Sequence, residues 1–198
     1  SAQHVDFVRM EIEAVRRHAP HLPATTNMMG THAGIDYFRL AEPLDVISND
    51  SYPRYHDRTD PKANIRAACN AAFSHDLMRS LAGGKPFLQM ESAPSATNWM
   101  RVHKLKRPGV HRMEMLQAVA HGADGTMYFQ WRKSRGACEK FHGAVVDHVG
   151  HERTRVFNDV RDHSEVLEKI QPVVGSRVKT DVAIMMDHLI LAAANEGL

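Results

Sequence analysis

The chain has 198 residues with 43% hydrophobic content, enough for one sizeable core and a small appendage. Its net charge of +2 is near balance, which argues against nucleic acid or an anionic membrane as a main partner, and no apolar run approaches the roughly 18 residues of a membrane span. Cys69 and Cys138 are too few and too far apart for a disulfide framework, so a reducing, cytoplasmic setting is expected.

Helical and strand patterns alternate along the chain. Val5, Val8, Ile12 and Val15 recur at helical spacing, and Pro20 and Pro23 close that helix. Thr25–Met29 is a short strand ending at Gly30, Ile35–Ala41 a brief helix stopped before Pro43, and Leu44–Ile47 the next strand. That strand runs into the polar loop Ser48–Pro53. Asp60-Pro61 has the form of an N-cap and first-turn proline for a helix with Ile65, Cys69, Phe73, Leu77 and Leu81 on one face, ended by Gly83-Gly84. Phe87–Met90 reads as a strand, and Pro108 opens a helix carrying Val110, Met113, Leu116 and Ala120. Gly125–Gln130 is another strand, and Val156, Val160, His163, Leu167 and Ile170 line a last helix.

Strands separated by helices imply parallel βαβ units. The fold class is therefore α/β, with four strand-then-helix units preceded by one helix: half of a (β/α)8 barrel, whose usual size is about 250 residues. In such a barrel functional groups gather where strands end. Those ends carry Asn27, the Asn49–Tyr52 loop, Glu91 and the Gln130–Arg132 segment, all polar or aromatic.

The segment Lys85–Trp99 is the most informative. A short apolar run ends in the lone carboxylate Glu91, small residues follow, and Trp99 arrives eight positions later. Around it, in order, stand Thr25–Gly30, Leu44–Pro53, His75–Arg79, Lys106-Arg107-Pro108-Gly109, Gln117–Gly125, Phe129–Gly136 and Glu139–Ala144. Each alone is weak; together, across roughly residues 5–165, they resemble family 42 of the glycoside hydrolases, the retaining β-galactosidases.

The resemblance implies that the chain covers roughly strands 5–8 of the barrel and their helices, and that Glu91 is the nucleophile. Retaining hydrolysis uses one carboxylate to attack the anomeric carbon and a second, about 5–5.5 Å away, to protonate the leaving oxygen. Trp99 corresponds to the wall of the galactose subsite, where an indole face suits the apolar side of a sugar. Glu139 and His142 correspond to residues that hydrogen-bond galactose hydroxyls and favour the axial O4 epimer. Tyr52 lies in a matching loop and is expected to hydrogen-bond the nucleophile, and Phe129 and Trp131 are expected pocket walls. No organic cofactor and no metal is implied.

Two departures bear on activity. The family's acid/base glutamate follows an asparagine at the end of the fourth strand, a segment that would precede residue 1. Glu11 and Glu13 lie in the first helix without a preceding asparagine, and Asn195-Glu196 lies in the tail. The expected domains are 1–170 (barrel), 171–179 (linker) and 180–198 (start of a second α/β domain). Asp181–Met186 is read as the first strand of that second domain, which helps build trimers in the family. The aromatic-rich segment that follows in relatives is replaced by Leu189–Ala194, so trimerisation is not implied. The expectation is a β-galactosidase fragment with little activity alone, self-associated or joined by a missing N-terminal half. The alternative is an inactive sugar-binding or scaffold fragment. A metal site on His142, His148 and His151 fits no common zinc spacing.

Overall fold

The computed structural model describes residues 2–55, 59–99 and 104–187. The elements run α1 (Ala2–Arg16), β1 (Asn27–Met28), α2 (Tyr37–Ala41), β2 (Ser48–Asp50) and α3 (Pro61–Leu81). They continue with β3 (Phe87–Glu91), α4 (Val110–Ala120), β4 (Ala123–Thr126), α5 (Arg155–Ile170) and a 3-10 turn, Gln171–Val173. The strands form one parallel sheet in sequence order, β1-β2-β3-β4. A helix follows every strand, so the chain is part of a (β/α)8 barrel.

The core lies between the sheet and its helices. Met28, Ile47, Phe87 and Ala123 on the sheet side meet Val5, Tyr37, Leu40, Leu77, Met78 and Ala118 from the helices. Met28, Met78 and Phe87 are fully buried, each stabilising the fold by about 1.5–3 kcal/mol. Three buried sheet residues are polar, with almost no exposed surface: Ser48 on the face away from the helices, and Asn49 and Gln89 on the core face beside Met28 and Phe87. Asn49 and Ser48 are drawn into local bonds: the Gly30 N–H donates to Asn49 Oδ1 at 2.9 Å, and Ser48 Oγ donates to the Thr26 carbonyl at 2.9 Å.

Caps fix the helix starts. Asp36 accepts from the Arg39 N–H, Asp60 from the Lys62 N–H with Pro61 in the first turn, and Thr154 from the Phe157 N–H. Such caps contribute about 1 kcal/mol each.

Several expected elements shift. The second strand is Ser48–Asp50, not Leu44–Ile47. The Asp45 and Val46 N–H groups both bond the Ala24 carbonyl, so the apolar run is a connector and pairing begins in the polar loop beyond it. The fourth strand is Ala123–Thr126, two residues earlier than its glycine-based start. On α3 the buried positions are Ala71, His75, Leu77 and Met78, while Ile65 is 63% exposed. The C-terminal half of the helix packs on the core through Leu77 and Met78, while its N-terminal half, with Ile65, faces outward. On α4 the buried positions are His111, Glu114, Met115 and Ala118, and Met113 points out. Asp181–Met186 forms no strand, and Met185 is 99% exposed; among the described residues no edge pairs with it. Residues 188–198, including the expected tail helix Leu189–Ala194, lie outside the described residues.

Candidate active site

The C-terminal ends of the strands place a set of polar side chains around one cavity. β3 runs one residue beyond its apolar stretch, so Glu91 is its last residue. The register between β2 and β3 steps from Asn49↔Gln89 to Asp50↔Glu91. This bulge, at Met90, sets two carboxylates abreast, the kind of re-aiming that bulges perform beside functional sites.

The Asn27 side chain, at the start of β1, joins them. Its Nδ2 donates to Glu91 Oε1 at 3.0 Å and to Asp50 Oδ1 and Oδ2 at 3.1 and 3.2 Å. The other Glu91 oxygen, Oε2, accepts from the Tyr52 hydroxyl at 2.6 Å. Both oxygens of Glu91 are thus fixed by neutral donors, which orient a carboxylate without quenching its charge.

Electrostatics separates the neighbours. Burial, with the charge of Glu91 adding to it, pushes Asp50 up from 3.8 to about 6, against the Asn27 hydrogen bond. Tyr52 is pushed above the ordinary tyrosine value by burial first, and then by its bond to Glu91 and the nearby Asp50 and Glu139. Its hydroxyl therefore remains a donor at any working pH.

The cavity, of about 410 Å³, is lined by Met29, Asp50, Tyr52, Glu91, Trp99, Phe129, Glu139 and His142. That volume lies in the roughly 300–1,000 Å³ range of small-ligand pockets. Its aromatic wall is a chain of edge contacts: Tyr52 to Trp99 with centroids 5.5 Å apart, Tyr52 to His142 at 6.0 Å, and Phe129 to His142 at 4.9 Å. Trp99 is 54% exposed, leaving much of its ring available.

Glu139 and His142 sit on one turn, the His142 N–H bonding the Glu139 carbonyl at 3.0 Å. Asn98 Nδ2 holds the Cys138 carbonyl at 2.6 Å. Gly143 allows the turn to close on the loop after β3: its N–H reaches the Ala96 carbonyl at 2.6 Å, and an added Cβ would lie 2.7 Å from that oxygen. His142 Nδ1 is engaged with the Gly143 carbonyl at 3.0 Å. Glu139 Oε2 and His142 Nε2 are buried and have no partner among the described residues. Two unpartnered polar atoms in one pocket ask for a polar ligand.

Six of the seven residues singled out from sequence therefore meet in one cavity: Tyr52, Glu91, Trp99, Phe129, Glu139 and His142. Trp131 does not line it and is 67% exposed. Asn27 and Asp50 were visible as polar strand ends, but their bridging of Glu91 depends on the bulge, which the sequence does not announce. His148 and His151 engage the Ser134 carbonyl and the Arg153 N–H, and the described residues hold no group of three metal-binding side chains. No helix among the described residues is long and apolar enough to cross a membrane.

A parallel sheet with carboxylates and aromatic rings gathered at its strand ends has the architecture of part of a (β/α)8 barrel with a site at the C-terminal face of its strands. A family model for glycoside hydrolase family 42, described as β-galactosidase, matches residues 1–170, and the chain belongs to that family. It is 57% identical to β-galactosidase BglY of Alicyclobacillus acidocaldarius over 93% of this chain and 26% of that protein. It is 50% identical to β-galactosidase Pbg of Clostridium perfringens over 93% of this chain and 27% of that protein. The crystal structure of a cold-adapted β-galactosidase from Rahnella sp. superposes with a TM-score of 0.91 at 53% identity, covering 96% of this chain and 28% of that one. The chain thus spans about a quarter of the length of the relatives it matches.

Proposed function

We propose that this chain supplies the nucleophile side of a retaining β-galactosidase site, with Glu91 as nucleophile, and corresponds to strands 5–8 of the barrel. The observation that carries the reading is the cavity itself: it brings a doubly anchored Glu91 together with Trp99 and with Glu139 Oε2 and His142 Nε2, which have no partner among the described residues. Family membership and the names of the relatives support β-galactosides as the substrate class.

In the reaction, a Glu91 oxygen attacks the anomeric carbon, and the bond from that carbon to the leaving oxygen breaks with its electron pair. The product is a covalent galactosyl ester on Glu91, later hydrolysed by water. Tyr52 and Asn27 hold the carboxylate in line, and Glu139 and His142 bind sugar hydroxyls. Asp50 does not serve as the acid: a shared amide nitrogen sets it beside Glu91, whereas the two catalytic carboxylates must flank the scissile bond. The acid/base is assigned to a strand outside this chain. Among the described residues β1 and β4 each pair on one side only, and their open edges are where the remaining strands would join. Residues 171–179 are read as a linker and 180–198 as the start of a further domain.

A substrate whose leaving group needs no proton tests this directly. The purified chain with 2,4-dinitrophenyl β-galactoside should release about one dinitrophenolate per chain in a burst, then stall for want of a base. Glu91→Gln should release none. A folded chain that binds galactose without any burst would instead favour a non-catalytic sugar-binding fragment.

A further inference from the structure

The residues that follow the nucleophile strand are tied down from several directions. The Ser51 N–H donates to the Glu91 carbonyl at 3.0 Å, and the Phe129 N–H donates to the Ser92 carbonyl at 3.0 Å. Ser92 Oγ donates to the Met127 carbonyl at 2.9 Å. These three bonds join neighbouring strand ends, as a parallel sheet does unaided. The fourth is different in kind: the Lys106 ammonium donates to the Ala93 carbonyl at 2.6 Å.

Lys106 lies outside the sheet, and both it and Glu114 of α4 are buried. The same ammonium donates to Glu114 Oε2, while Glu114 Oε1 has no partner among the described residues. Arg155, at the start of α5, fixes the Lys106 backbone by donating to its carbonyl at 2.9 Å. A buried ion pair is seldom more stable than an apolar pair of equal volume, because desolvation offsets the attraction. Its effect therefore falls on what the cation touches. A charge-assisted bond to a carbonyl is roughly twice as strong as a neutral one, and this carbonyl lies two residues beyond Glu91. A reacting carboxylate has to hold position within about 0.5 Å.

We propose that Lys106, held and neutralised by Glu114, is a positioning residue for Glu91, its ammonium pinning the backbone of the loop that leaves β3. The proposal rests on the reading of Glu91 as nucleophile. It adds α4 and the Lys106–Gly109 segment to the parts of the chain that set the reaction's geometry.

The test replaces the pair by Lys106→Met with Glu114→Leu in the full chain. Three quantities are read: the urea midpoint, amide hydrogen exchange, and the kinetics of covalent labelling of Glu91 by 2,4-dinitrophenyl 2-deoxy-2-fluoro-β-galactoside. The urea midpoint should stay the same or rise. The labelling rate constant should fall about 10- to 100-fold while the half-saturating concentration stays within about twofold. The Ser51 and Phe129 amides should exchange about tenfold faster, with those of Ala82 and Gly84 at the far end of α3 unchanged. A folded double variant with unchanged labelling and unchanged Ser51 and Phe129 exchange overturns the proposal. If the unsubstituted chain is never labelled, the nucleophile reading fails on its own, and amide exchange still decides whether the clamp exists. Should the apolar pair prevent folding, Lys106→Gln with Glu114→Gln, closer in shape, takes its place with the same readouts and the same decision.

Discussion

The Tyr52 hydroxyl donates to Oε2 of Glu91 across 2.6 Å, from a loop on the neighbouring strand. The bond does more than satisfy two polar atoms. It leaves one Glu91 oxygen defined by Tyr52 and the other by Asn27, so the plane of the carboxylate is set before any sugar arrives.

Tyr52→Phe should therefore keep the fold and lose rate. A hydrogen bond to a charged group contributes about 1.5–3 kcal/mol, and 1.36 kcal/mol is tenfold. The expected loss is about 10- to 100-fold in the fluoro-sugar labelling rate, with little change in half-saturation. Stopped labelling at a series of concentrations, read by intact-protein mass, checks it.

Asp50 gives a pH dependence of definite sign. Its folded-state value, about 6, lies above the ordinary 3.8, so the folded chain holds this proton more tightly than the unfolded one. Its contribution to stability is fully present below about 3.8 and is lost as the pH rises through about 6. After allowance for solvent screening at a half-buried site, about 1 kcal/mol is at stake. Asp50→Asn should gain about that much at pH 7 relative to pH 4, compared with the unsubstituted chain. Urea unfolding at the two pH values measures it; an equal change in both proteins would refute the assignment.

Glu139→Ala should separate binding from stability. Glu139 Oε2 is buried and without a partner among the described residues, so its removal should cost the empty fold little or relieve it, whereas under the proposed function a bound galactose should lose a charge-assisted hydrogen bond. The expected result is an unchanged or higher melting temperature with galactose affinity about 10- to 100-fold weaker. Calorimetric titration with galactose reads it.

The fold was more legible than its buried faces. Parallel βαβ units followed from alternating patterns, and Asp60-Pro61 marked the start of α3 because capping is local chemistry. Strand limits were not local. Ser48–Asp50 is a strand because β1 and β3 flank it, and no apolar pattern marks it, since its buried residues Ser48 and Asn49 are polar and held by hydrogen bonds. The face of α4 was misread for a related reason: its buried positions include His111 and Glu114, and Glu114 is tolerated there through Lys106, eight residues away. At the site, the residues supplied by the family motif were found together, while Asn27 and Asp50 gained their meaning only from the bulge beside Glu91. Trp131, an expected wall, lies outside the lining of that cavity and is largely exposed.

Gly143 is a tight point in the turn that carries Glu139 and His142. A Cβ there would lie 2.7 Å from the Ala96 carbonyl oxygen and 2.9 Å from the Ala96 nitrogen, both backbone atoms that cannot swing aside. Gly143→Ala should cost about 1–3 kcal/mol and displace His142, weakening galactose binding at the same time. Urea unfolding and the calorimetric titration together check it; a fully stable variant with intact binding would show that the two loops are not locked.

The central claim, that Glu91 is the nucleophile, is tested most directly by locating the covalent adduct. The chain is treated with 2,4-dinitrophenyl 2-deoxy-2-fluoro-β-galactoside, digested, and its peptides sequenced by mass spectrometry. The account requires one fluorogalactosyl ester, on Glu91, absent from Glu91→Gln. An adduct on Asp50 or Glu139, or a folded, galactose-binding chain that never reacts, would contradict it.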